Sequence, residues 1–280
     1  MSIVEVEDEI KQEIKNCANE FIEKEIKNIE KERKKCNNIS VAFKSIGEFG
    51  EELTTTIYPN SLGSASKGGC SFDNFEINAE MEIIKAREVK TCCHIQSKTC
   101  NSCKKKTPYY QEKCSFCKND TFTKTFDSRF SINAKSHFKY KSLLSEYMLF
   151  YVKEVDYTII ILGFIIKSDN VYFNNYLKNQ LDNSESNSCN LIPFSYDFYS
   201  CGPIKILELV YDLSGNLLSE YIDIFNNNNL DFNTECLTFD EKKKYDIPDE
   251  RKTIPYKEIE EKLKLRPKNF NKIRGNTTRL

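Results

Sequence analysis

Four cysteines, Cys100, Cys103, Cys114 and Cys117, stand as two C-x-x-C pairs ten residues apart. Each pair turns tightly enough for both sulfurs to face one ion, and four thiolates make the tetrahedral set of a closed structural zinc site. Ten residues before Cys100 ends a second chemical signature, Glu88-Val89-Lys90. In a β-strand, residues two apart project from one face, so Glu88 and Lys90 would point together while Val89 faces the core. Asp73 on a neighbouring strand would bring a second carboxylate. Two carboxylates can hold one or two Mg²⁺ ions, hard cations that prefer oxygen ligands, and a lysine beside them can position or help deprotonate a water.

Several elements must position these groups. Residues 5–36 read as a highly charged amphipathic helix, with Ile10, Ile14, Cys17 and Phe21 on one stripe and Ile22, Ile26 and Ile29 on a shifted one. Such a helix lies either on its own domain or in a dimer seam. A second helix is expected over Val41–Ile57, with Phe43, Ile46, Phe49 and Leu53 on one side and Glu51 near the edge of that face. Pro59 ends it, and a loop of small residues, including Gly68 and Gly69, follows. Cys70–Ile77 and Met81–Cys92 read as strands joined near Asn78-Ala79-Glu80.

Beyond the cysteine segment, Phe122–Phe130 reads as strand or loop and Ala134–Leu144 as helix. Tyr147–Val155 and Thr158–Lys167 have the β-branched and aromatic content of strands, with a turn near Asp156. Tyr172–Leu181 reads as a helix and Asp182–Cys189 as a polar loop. Ile204–Asp212 and Leu217–Ile222 read as a hairpin across Ser214-Gly215-Asn216. An Asn-rich loop, a short helix over Tyr256–Leu265 and a basic tail close the chain. The expected class is α/β (α+β), a mixed central β-sheet flanked by helices with a small zinc-binding insertion. The division is a charged helix at 1–38 and a main domain at 39–280, interrupted by the insertion at 92–120.

Bulk properties narrow the context. The chain has 280 residues and a net charge of −1, so basic character is local: Lys104 to Lys106 between the cysteine pairs and Lys242 to Lys244 later. Twelve cysteines in a chain of this size, with no signal peptide at its start, suit reduced thiols and a cytoplasmic setting. The longest apolar run, Tyr157–Ile166, is about half of a bilayer crossing and reads as a buried strand. With two histidines, His94 and His137, neither in H-E-x-x-H nor beside a DH pair, an HNH or zincin site fits poorly, while a Cys-His nucleophile stays open with nothing in the sequence to orient it.

The order of helix glutamate, Gly68-Gly69, Asp73, apolar strand and Glu88-Val89-Lys90 resembles the PD-(D/E)xK nuclease superfamily, which includes many type II restriction endonucleases. The resemblance covers roughly residues 41–95 and extends to the strands after 145. The superfamily's usual proline before the aspartate is absent. The resemblance implies a Mg²⁺-dependent endonuclease that cuts double-stranded DNA at specific sites. Asp73 and Glu88 would then be metal ligands and Lys90 the water-handling group. Glu51 would complete the site from the first helix, with Glu52 a near equal. It also implies a homodimer, since cutting both strands takes two sites, and a cognate DNA methyltransferase as companion.

Lys104, Lys105 and Lys106, with Tyr109 and Tyr110 at the tip, offer charge and flat rings to DNA. Arg129, Lys135 and His137, in the polar stretch from Asp127, are candidates for the cleft. Cys92, Cys93 and His94 compete as zinc ligands, support a second ion, or form a buried strand end, the preferred reading. Two other readings stand beside the restriction enzyme. One is a non-catalytic zinc-ribbon protein that binds nucleic acid or a protein partner. The other is a repair or recombination nuclease, which would leave ragged products.

Overall fold

The computed structural model describes residues 3–36, 46–63, 72–94, 97–108, 111–123, 128–155, 158–183, 187–224 and 254–255. Five helices occur there: α1 (Ile3–Cys36), α2 (Ile46–Ile57), α3 (Ala134–Lys139), α4 (Val171–Asn183) and α5 (Tyr196–Ser200). The first strands are β1 (Leu62–Gly63), β2 (Asn74–Ile77), β3 (Glu82–Cys93), β4 (Ser97–Thr99), β5 (Lys106–Pro108) and β6 (Phe130–Asn133). The later ones are β7 (Leu144–Val155), β8 (Thr158–Lys167), β9 (Ser188–Leu191), β10 (Ile204–Asp212), β11 (Leu217–Ile222) and β12 (Ile254–Pro255).

The main sheet runs β1-β2-β3-β7-β8-β10-β11, with β12 paired to the start of β3 at Ile83 and Glu82. Its one parallel pair is β3 with β7, which places Glu88 opposite Tyr147 and Lys90 opposite Leu149. Antiparallel neighbours can be joined by tight turns, but a parallel pair needs a crossover. Here the crossover carries β4, β5, β6 and α3. The turn between β2 and β3 forms where expected, with Met81 in the left-handed region at φ 61.

Both faces of the sheet are covered, which explains the unbroken apolar run of β8. On one face α1 and α2 lay Ile14, Ala18, Phe21, Ile22, Phe49 and Leu53 onto Val89, Met148, Phe150 and Ile161. Phe21 of α1 stacks on Phe49 of α2 with ring centroids 4.1 Å apart. Gly50 lets α2 lie almost on β3: a Cβ there would stand 2.2 Å from the Thr91 methyl. On the other face α3, α4 and α5 bring Phe138, Phe173, Leu177 and Phe198 against Tyr147, Leu149, Tyr151 and Phe164. The apolar stripe of α1 is therefore spent on the sheet's own core.

Some expectations shift. The helix expected to Leu144 stops at Lys139, because Leu144 already pairs with Ala86 as the start of β7. The polar loop expected over Asp182–Cys189 is split: α4 runs to Asn183, and β9 begins at Ser188 because it pairs with β6. Residues 41–45, Gly68, Gly69, Tyr109, Tyr110, Asp127, Asp156, Lys242 to Lys244, the 256–265 helix and the basic tail lie outside the described residues. Among the described residues no helix is long and apolar enough to cross a membrane.

A carboxylate–lysine cluster and a four-cysteine knuckle

Asp73, Glu88 and Lys90 meet on one face of the sheet. Asp73 precedes β2, where its backbone N–H donates to Arg87 O at 3.2 Å. Its Oδ2 accepts the Val89 N–H at 2.8 Å, which fixes the carboxylate beside β3. The Lys90 ammonium then donates to Glu88 Oε2 at 2.6 Å, to Asp73 Oδ2 at 3.4 Å and to Val89 O at 3.1 Å. The two carboxylates thus already converge on one cationic group. All three side chains are partly open to solvent, at 18–28% exposure.

Burial pushes the Glu88 carboxyl up to about 7, Lys90 opposes this, and the neighbouring Asp73 adds to it. Burial pulls the Lys90 ammonium down, but Glu88 and Asp73 together hold it above its ordinary value. This is a site that favours added positive charge. Its oxygen-only donor set suits a hard divalent cation such as Mg²⁺.

Glu51 belongs to another layer. It is half-buried on α2, and α2 packs through Gly50 against Val89 and Thr91, the residues of β3 that alternate with Glu88 and Lys90. Glu52 is exposed on the same helix, and its charge bears on Cys17 of α1.

Directly behind the cluster lies a network that motif reading missed. Arg87 is 1% exposed and donates to Glu146 Oε1 at 2.9 Å, Asn74 Oδ1 at 3.0 Å and Glu76 Oε1 at 2.5 Å. Its guanidinium lies 3.5 Å from the Tyr58 ring centre, and the Tyr58 hydroxyl donates to Glu146. Lys167 Nζ completes the set at 2.7 Å from Glu146 Oε2. Burial works against the Glu146 charge, but Lys167 first, then Tyr58 and Arg87, bring it down to about 2. Four strands (β2, β3, β7 and β8) and Tyr58, the residue after α2, are bonded through Arg87 and Glu146 next to Glu88. The available signal was an arginine two residues before Val89, on the core-facing side of its strand.

His137 does not face a DNA cleft. It is fully buried, and burial pulls its imidazole down to about 4. Asn174 Nδ2 donates to Ser168 O and Asn170 O, so its Oδ1 accepts from His137 Nε2 at 2.9 Å. His137 Nδ1 is then bare and accepts the Tyr147 hydroxyl at 3.2 Å. An isolated histidine in an amphipathic segment proves to be a satisfied core residue. Arg129 and Lys135 are half-buried, just before β6 and on α3.

The four knuckle sulfurs lie within 4.8 Å of one another. Cys100 and Cys117 are 3.5 Å apart, as are Cys103 and Cys114. Zn–S bonds of about 2.3 Å in a tetrahedron place sulfurs about 3.8 Å apart, so the cluster suits a structural zinc. The Thr107 hydroxyl, 3.5 Å from Cys114 Sγ, and backbone N–H groups of Cys117 and Phe116 bring that thiol down to about 5. Ligation needs the thiolate. The ribbon strands β4 and β5 hold the first pair in place.

The two halves repeat one backbone pattern. Lys104 N–H donates to Cys100 O and Lys118 N–H to Cys114 O, both at 3.0 Å. Cys100 N–H donates to Lys105 O at 3.0 Å and Cys114 N–H to Asn119 O at 2.8 Å. Lys104 and Lys118 sit at φ 58 and φ 63, left-handed positions that cost a non-glycine residue about 1 kcal/mol each. Lys104 and Lys105 are exposed and Lys106 half-buried.

Cys92, Cys93 and His94 stay apart from the knuckle. Cys92 is in the core, where burial pushes its thiol far up, and His94 Nδ1 bonds the Tyr151 hydroxyl at 3.2 Å. Among the described residues the cysteines are free thiols. Set against protein-family models, curated proteins and solved structures, the chain returned no match.

Proposed function

We propose that the protein is a Mg²⁺-dependent, site-specific DNA endonuclease of the type II restriction kind, on a restriction-endonuclease-like PD-(D/E)xK core with an inserted zinc knuckle. The observation that carries the reading is the meeting of Asp73, Glu88 and Lys90 within hydrogen-bond reach, drawn from separate stretches of chain. Asp73 and Glu88 would hold Mg²⁺, which when bound acts as a Lewis acid toward a phosphodiester. Lys90, held as an ammonium by the two carboxylates, would donate to and orient the attacking water and offset charge on the phosphate, while the water's proton would pass to solvent. The Val89 N–H keeps Asp73 aimed at the site.

The Arg87–Glu146 network holds β3 in register. Cys100, Cys103, Cys114 and Cys117 would hold Zn²⁺ as a structural ion, with Lys104, Lys105 and Lys106 toward the DNA backbone. Arg129 and Lys135 remain candidates for the cleft. The active form would be a homodimer acting on duplex DNA.

The test is plasmid digestion with Mg²⁺ by wild type and by Lys90→Ala. Discrete fragments that fall by about 10²–10⁴-fold in rate in the variant support the enzyme. Run-off sequencing of the products then separates site-specific cutting from the ragged ends of a repair nuclease. The four-cysteine cluster favours a second reading, a non-catalytic zinc-ribbon binder. Intact plasmid with a gel shift would support it.

A further inference from the structure

Left-handed backbone is the natural place for glycine, which has no Cβ to clash. In this knuckle the two equivalent left-handed positions, each one residue past a cysteine pair, are both occupied by lysine: Lys104 at φ 58 and Lys118 at φ 63. Among the described residues, the other non-glycine positions at positive φ are Met81 and Phe194. Half of the strained non-glycine residues therefore fall at twin sites in one small ribbon, with the same side chain. Unfavourable backbone retained at matched positions points to a use for the side chains.

The surroundings say what use. Residues 97–123 contain six lysines against Glu112 and Asp120, in a chain whose net charge is −1. Even with the double negative charge of a zinc tetrathiolate, the ribbon keeps a net positive charge. Lys104 and Lys118 are both exposed. Each directly follows a cysteine, Cys103 or Cys117, whose sulfur lies within 4.8 Å of the other three. A bound ion would hold both backbones, so the two lysine side chains would leave the ribbon from fixed points beside the cysteine cluster. Lys105 has its ammonium 4.6 Å from the Phe116 ring centre, and Lys118 Nζ makes one long bond, to Ser115 O at 3.4 Å, which leaves two of its three N–H groups for a phosphate.

We infer that Lys104 and Lys118 form a paired phosphate clamp, through which the knuckle grips the backbone of a nucleic acid without reading its sequence. Lys118, which no motif singles out, is half of the device. The inference rests on the DNA reading above and names the residues that make the contact.

Glycine separates function from fold here, because it relieves the backbone while removing the charge. The experiment compares full-length wild type, Lys104→Gly/Lys118→Gly and Lys104→Ala/Lys118→Ala in zinc-replete buffer. A short duplex is titrated over a range of salt without Mg²⁺. Melting temperature and zinc release to a chromogenic chelator are followed in parallel. The expected result is a log K against log salt slope shallower by about 1.8 in both variants, one counterion set per lost phosphate contact. The glycine variant should melt no lower and hold zinc no less tightly than wild type.

Wild-type binding with an unchanged slope in the variants overturns the clamp and leaves the DNA reading standing. Loss of zinc or of melting temperature in the glycine variant also overturns it, since the lysines would then serve the fold. Absence of salt-dependent duplex binding by wild type sinks the DNA reading and the clamp together.

Discussion

Glu88 carries the sharpest electrostatic consequence. Its carboxyl is raised to about 7 in the fold, from an ordinary 4.5. Between those values the folded chain binds more protons than the unfolded one. The stability this confers is complete below about 4.5 and is lost as pH rises through about 7. Urea midpoints measured without divalent metal should therefore fall from pH 5 to pH 8. Glu88→Gln should shrink that fall by on the order of 1–3 kcal/mol. Glu146, depressed to about 2, acts in the opposite sense: its contribution is present above 4.5 and fades as pH drops toward 2. Arg87→Met should cost about 3–5 kcal/mol in a urea melt, because it strips a buried carboxylate of a partner, and adding Glu146→Leu should recover much of it. At this scale Glu88, Lys90 and the four cysteines were legible because each obeys a short spacing rule, whereas Asp73, fifteen residues before Glu88, was named from the motif order and meets them only through strand pairing. Arg87 and Glu146 were hidden because their pairing depends on strand register, and His137 was misplaced because its partners, Tyr147 and Asn174, come from other elements.

Among the elements, α2 on β3 is the closest contact. Gly50→Ala would place a methyl 2.2 Å from the Thr91 Cγ2, against a strand that carries the catalytic candidates. A loss of about 1–3 kcal/mol is expected by thermal melting, with most of it recovered in Gly50→Ala/Thr91→Ala, where the obstructing methyl is gone. Thr158–Lys167 was readable to the residue from its β-branched content, and Ile204–Asp212 and Leu217–Ile222 from the turn at Ser214-Gly215-Asn216 between them. The β6–β9 pair and α5 were not, because β9 is extended only by virtue of a partner more than fifty residues earlier, and α5 is a single turn capped by Ser195. The parallel union of β3 with β7, which sets Tyr147 beside Glu88, leaves no trace in either strand's own pattern.

At the scale of the whole molecule, the knuckle is a separate two-stranded unit, while α1, α2 and the main sheet share one core. Chelation of a bound zinc should therefore open 97–123 to protease while far-UV circular dichroism keeps most of its amplitude. The crossover also has a kinetic meaning. Before β3 and β7 can pair, the chain from His94 to Leu143 must loop back on itself, and the search slows as that loop lengthens. The ribbon closes at its base, where Thr123 N–H donates to Thr99 O and Cys100 bridges Phe122. A ribbon already shut around its ion bypasses roughly half of that loop. This is worth about 0.6 kcal/mol of closure entropy, close to a threefold gain in refolding rate. Refolding from urea should thus run faster with zinc than with chelator, even though the ion lies off the sheet that it helps the chain to assemble.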